Sequence, residues 1–243
     1  MLIDEIHALY DSLPVDPTAP PIHPFIGRHY RDATPGVLRV LVMGINCYYG
    51  EHPPGPGVQW FPSFMRERRF TFFARSFSES AVIAEALERS PDFGGLHHAG
   101  LEALYVTNMV RRYLPPSTGK KAAQVSETYL DEGSGVWRDE LDLLHRHGVL
   151  PHVVIVFGGQ IWGRAWTAFG KRVRPEGWIV SYAPCAKSSE LFHHLNRVVV
   201  PDGDRERPLL LVKLDHPAAR GDKKRAAWIV SHPDFRRIAA LDS

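Results

Sequence analysis

Four short apolar runs limit what this chain can fold into: VLRVLVM (37–43), LYVTN (104–108), VVIVF (153–157) and LLLVKL (209–214). Each is too short for a buried helix and rich in residues that suit a covered strand. A weaker run, WIVSY (178–182), joins them. Helical patterns lie between the runs, at ESAVIAEALERS (79–90), WRDELDLLHRHG (137–148) and IWGRAWTAFG (161–170). Leu2, Ile3, Ile6, Leu9 and Leu13 add an amphipathic helix at the start, stopped by LPVDPTAPP, and AAWIV (226–230) with DFRRIAAL (234–241) predicts a helical tail. Strands alternating with helices predict βαβ units around a parallel sheet.

The 243 residues, 44% hydrophobic and 23% charged, suffice for one sizeable core, so a single domain over 1–243 is expected. The acidic start MLIDEIHALYDSL does not read as a signal peptide, and no apolar run approaches the roughly 20 residues that span a bilayer. A cytoplasmic protein without membrane contact is expected. Two distant cysteines, Cys47 and Cys185, exclude a four-cysteine metal or iron–sulfur site. The adjacent pairs His97-His98 and His193-His194 lack metal-ligand spacing, since neighbours on a helix or strand point apart. No metal and no cofactor are expected. A net charge of +2 does not by itself point to nucleic acid, but basic residues gather at Arg111 and Arg112 and around Arg220, Lys223, Lys224 and Arg225.

In an open parallel sheet, ligands bind beyond the carboxyl ends of the strands. Here those ends read Gly44-Ile45-Asn46-Cys47-Tyr48-Tyr49-Gly50, then Thr107-Asn108, then FGGQIWG (157–163), then Asp215-His216-Pro217. In this order they resemble the uracil-DNA glycosylase superfamily. GINCYYG is similar both to the main family's Gly-Gln-Asp-Pro-Tyr-His-Gly loop, through Gly44, Tyr48 and Gly50, and to the Gly-x-Asn-Pro-Gly loop of other branches, through Gly44 and Asn46. YVTNMVRRYLPP is similar to the strand bearing the base-reading Asn, and HPAAR to the His-Pro-Ser-Pro-Arg loop of the single-strand-selective branch. The resemblance implies a three-layer α/β/α fold with a central, mainly parallel four-stranded sheet. It further implies a monomeric, nucleoid-associated enzyme that flips a base out of single- or double-stranded DNA and hydrolyses its N-glycosidic bond. Repair of uracil is the first expectation.

The chemistry assigns roles. Breaking the bond leaves an oxocarbenium-like sugar and an anionic base. Asn46 would hold the attacking water without acting as a base, because an amide does not titrate. His216 would stabilise charge on the departing base as an oxyanion-hole donor does. Asn108 offers a donor and an acceptor, the complement of uracil O4 and N3–H. Gly44, Ile45 and Tyr48 would line the base pocket, and Trp60 or Phe61 would stack on the base. The resemblance further implies that the Pro-rich loop with Pro53 and Pro54, together with Arg111, Arg112 and Lys223, would hold the DNA, and that Arg220 would stand at the wedge position. Cys47 replaces a Pro of both family loops, and Ala218 and Ala219 replace Ser-Pro after the His. These departures keep open the excision of a modified base from phage DNA. A reading of another class, a cysteine hydrolase using Cys47 and His216 with Asp215 orienting the His, lacks a Gly-x-Ser-x-Gly type elbow.

Overall fold

Spacing alone accounts for the first helix. Leu2, Ile6 and Tyr10 recur every fourth residue, and all three are buried on one face of α1 (Leu2–Asp11). Asp4 and Glu5 stand in its first turn, where the helix dipole favours negative charge. The computed structural model describes residues 1–45, 83–85, 87–89, 93–114, 125–170, 181–187, 194–202 and 204–214. Within them follow β1 (Phe25–Ile26), α2 (Arg28–Arg31), β2 (Val40–Gly44), a 3-10 turn (Gly100–Ala103), β3 (Leu104–Asn108), α3 (Glu127–Arg146), β4 (Val153–Phe157), α4 (Gly159–Gly170), β5 (Ser181–Lys187), β6 (His194–Asp202) and β7 (Arg205–Leu214). Positions 83–85 and 87–88 are helical, as the sequence predicts for 79–90.

The chain is mixed α/β, and the sheet is wider than the four apolar runs announce. Among the described residues seven strands lie in the order β1-β3-β2-β4-β7-β6-β5. Its centre, β3-β2-β4-β7, consists of those four runs and is parallel throughout. Antiparallel strands flank it, β1 on one side and the β6–β5 pair on the other. The register sets Leu41, Tyr105, Val154 and Leu211 in one row, on the face that shares a core with α1, α3 and α4. Val42, Val106, Ile155 and Val212 form a row on the opposite face and are equally buried. Burial on both faces is why these runs are apolar without alternation.

Two differences from the sequence reading have local causes. Helix α3 begins ten residues before Trp137, despite Gly133 and Gly135, which weaken a helix by about 1 kcal/mol each relative to Ala. Ser126 caps it by accepting from the Tyr129 N–H at 3.3 Å. Gly133 is there because α3 lies directly on β3's exit: a Cβ would stand 1.7 Å from the Met109 carbonyl oxygen. Strand β6 carries Asn196, Arg197 and Pro201 among its valines, which hides it from an apolar-run search. Strand β5 at 181–187 overlaps the fifth run expected at 178–182, of which 178–180 lie outside the described residues. So does the expected tail at 226–241.

The amino ends of the central strands are tied by polar side chains. His152 Nδ1 accepts the Arg39 N–H at 2.9 Å, and the His152 N–H returns to the Arg39 carbonyl at 2.9 Å. Arg39 donates through Nε and Nη2 to the Leu150 carbonyl, which also accepts from Arg207 Nη2 at 2.6 Å. Among the described residues no helix is long and apolar enough to cross a membrane.

Candidate functional site

The carboxyl ends of the central strands converge through close contacts at their glycines. Gly44, the last residue of β2, pairs in register with Asn108, the last of β3. A Cβ on Gly44 would meet Asn108 Oδ1 at 2.6 Å, so the Asn side chain lies over a surface that only glycine provides. Ile45 then reaches across to β4's exit, where a Cβ on Gly158 would meet Ile45 Cδ1 at 3.3 Å. Gly158 has φ +99°, a backbone conformation that favours glycine, and this lets the strand turn at once into α4. On the far side Gly159 sits against Lys213 near the end of β7, where a Cβ would lie 3.7 Å from Nζ. Gly44, Ile45, Asn108, Gly158 and Lys213 therefore mark one edge, shared by four strands.

Asn108 is the chemically telling residue of that edge. It is 7% exposed, and its side-chain amide has no hydrogen-bond partner among the described residues. A nearly buried amide with an unused donor and acceptor is costly unless something else satisfies it. Its backbone, by contrast, is held: the Asn108 carbonyl accepts from Arg111 Nη1, and the next two residues continue the pairing. The Met109 and Val110 N–H groups donate to the Gly44 and Ile45 carbonyls, both at 2.8 Å, which carries the β3–β2 pairing past the ladder.

Behind β3 lies a buried polar network, in which Arg111 Nε alone has no hydrogen-bond partner among the described residues. Glu140, completely buried on α3, accepts from Tyr10 OH at 2.7 Å, from Tyr105 OH and from Arg111 Nη2. Arg111 Nη1 donates to Thr107 Oγ1 and to the Asn108 carbonyl. Tyr10 OH and Thr107 Oγ1 are 2.9 Å apart. Since Tyr10 gives its proton to Glu140, Thr107 must donate to Tyr10. Burial raises the Tyr10 and Tyr105 hydroxyls well above the ordinary phenol range. Burial alone would lower Arg111, but the Glu140 carboxylate together with Tyr10 and Tyr105 more than offsets it and holds the guanidinium charged.

The network corrects one expectation of the sequence. Arg111 and Arg112 are each 1% exposed and cannot reach the phosphates they were expected to grip. Arg112 forms a bidentate pair with Glu132, both contacts at 2.7 Å, and donates to the Ala19 and Pro14 carbonyls. Both arginines brace the interior. The sequence held a signal for this: Glu140 falls in the stripe Gly133, Val136, Trp137, Glu140, Leu141, Leu144 that α3 buries, and a carboxylate there requires a buried donor.

The other expected site residues, Asn46, Tyr48, Trp60, Phe61, Pro53, Pro54, His216, Arg220 and Lys223, lie outside the described residues, as does Cys47. No protein-family model, curated protein or solved structure matches this chain. Among the described residues no group of three or more His, Cys, Asp and Glu side chains is placed to hold a metal. A groove of about 620 Å³ between α3 and α4 is lined by Ser134, Arg138, Gln160, Arg164 and Thr167 among others. It offers little to an anion through Arg164, which is paired with Glu127 and Asp131.

Proposed function

We propose that this chain is a monofunctional DNA glycosylase with a uracil-DNA glycosylase-like fold, hydrolysing the N-glycosidic bond of a flipped uracil or a related base. One observation carries the reading: the amide of Asn108, without a hydrogen-bond partner among the described residues, at the carboxyl edge of the parallel strands over Gly44. An amide held by its backbone and left open at its tip is suited to a planar ligand edge that offers both an acceptor and a donor, as uracil does at O4 and N3–H. In this reading Asn46 positions the water, His216 stabilises the anionic base, and Tyr48 packs at the C5 edge. Trp60 or Phe61 stacks on the ring. Pro53, Pro54, Arg220 and Lys223 contact the DNA, and no cofactor takes part.

The test is an assay of the purified protein, with chelator present, on oligonucleotides carrying uracil, hypoxanthine, mismatched thymine or modified cytosines, followed by alkaline cleavage of abasic sites. Cleavage at uracil, unchanged by chelator, is the expected result. Cleavage confined to a base bulky at C5 would move the substrate to modified DNA, and no abasic site with any base would overturn the reading.

A further inference from the structure

We infer that the buried Glu140–Arg111 pair, with Tyr10, is the device that positions Asn108 for reading the base; the inference rests on the glycosylase reading of that site. Asn108 is the last residue of β3, and its side chain makes no hydrogen bond among the described residues that could orient it. Among the described residues its direction comes from its backbone. Two sets of bonds hold that backbone. The first is the β3–β2 pairing with its continuation through Met109 and Val110. The second is Arg111, which bridges the Asn108 carbonyl and the Thr107 hydroxyl with one nitrogen and Glu140 with another.

The arrangement has a single donor order. Thr107 donates to Tyr10, Tyr10 and Tyr105 donate to Glu140, and Arg111 donates to Thr107, Asn108 and Glu140. The three hydroxyls therefore end on one carboxylate, which only accepts, and Arg111 joins that carboxylate to the Asn108 carbonyl. A carboxamide at position 140 would present an NH₂ to groups that are themselves donors. The network would rearrange, and Arg111 would lose the charged partner that fixes its fork. The side chains come from α1, β3, α3 and the segment after β3, so the pose of Asn108 is tied to helices that touch no substrate. These are positioning residues, not catalytic ones.

The chain has three asparagines, Asn46, Asn108 and Asn196, so a spectrum of the protein labelled with ¹⁵N-asparagine shows few side-chain NH₂ signals, and Asn108→Ala assigns the relevant one. In Glu140→Gln that signal should shift or broaden while the Asn196 signal stays. In single-turnover cleavage of a uracil oligonucleotide, Glu140→Gln should slow the chemical step about 10²-fold, as misplacement by an ångström does. Binding, carried by phosphate contacts, should change less than about twofold. The double variant Asn108→Ala/Glu140→Gln should be no slower than Asn108→Ala within about twofold, because both changes remove the same function. Tyr10→Phe deletes one donor at the edge of the network and should move the same signal; it carries the test if melting shows that Glu140→Gln fails to fold. An unmoved Asn108 signal, or rate losses that multiply in the double variant, would overturn the inference. Wild-type protein that cleaves nothing would sink the glycosylase reading instead, and the amide signal would still decide whether the network holds Asn108.

Discussion

The two ends of the central parallel strands use similar residues to opposite effect. At the amino end, Arg39, His152 and Arg207 are turned inward onto backbone, and the Leu150 carbonyl alone accepts from both guanidiniums. The Tyr30 hydroxyl there has no partner among the described residues, but its residue is 0% exposed and beyond the reach of a ligand. At the carboxyl end the network behind β3 gathers on Glu140, with Arg111 Nε left unmet, and in front of it the Asn108 amide has no partner among the described residues. The contrast teaches that polar density does not mark a site. A site is marked by unused hydrogen-bonding capacity that a ligand can reach, on a backbone that its neighbours hold in place.

The largest expected break of this comparison is in stability. Arg111→Met leaves Glu140 buried without its cation and should cost about 3–5 kcal/mol in urea unfolding. Arg207→Met, at the amino end, should cost about 1 kcal/mol, because its carbonyl acceptors keep Arg39 or regain water. Equal losses from the two variants would show that the ends do not differ as described.

A pH experiment probes the amino end alone. His152 is buried against Arg39 and Arg207, its imidazole stays neutral to accept the Arg39 N–H, and burial followed by those two cations pushes it well below its usual 6.5. Unfolded His152 binds a proton as pH falls through 6.5 while the folded residue does not. Stability from this group is therefore complete above 6.5 and declines below it, by up to about 1.4 kcal/mol per pH unit until the folded group titrates. His152→Gln should flatten the slope of unfolding free energy between pH 6.5 and 5. An unchanged slope would assign the acid sensitivity elsewhere.

How much of this was legible in the sequence depends on how far apart the partners lie. Strands 104–108 and 153–157 were bounded by composition, because burial on both faces requires unbroken apolar runs. The convergence of Gly44 and Asn108 followed from parallel strand ends. The network was not legible: Tyr10 and Glu140 are 130 residues apart, and the two arginines after Asn108 look like loop surface until their carboxylates on α3 are placed. The first ten residues of α3 were hidden by Gly133, whose packing reason exists only in three dimensions.

The smallest expected change in stability comes with a large one in function. Gly44→Ala places a Cβ 2.6 Å from Asn108 Oδ1, the end of a side chain that can swing away. It should alter unfolding by less than about 1 kcal/mol, since no left-handed backbone is involved, yet slow base excision about 10²-fold by displacing the amide. Excision at the wild-type rate would mean that the amide over Gly44 does not read the base.

The central claim is that Asn108 reads the flipped base, and exchanging its chemistry tests it most directly. Asn108→Asp removes the donor needed by uracil O4 and supplies acceptors for a cytosine amino group, and an unpaired O4 costs about 1–3 kcal/mol. Measured by single-turnover cleavage on matched uracil and cytosine oligonucleotides, the variant should lose uracil excision by about 10–10²-fold and gain detectable cytosine excision. Uracil excision at the wild-type rate, with no activity on cytosine, would contradict the account.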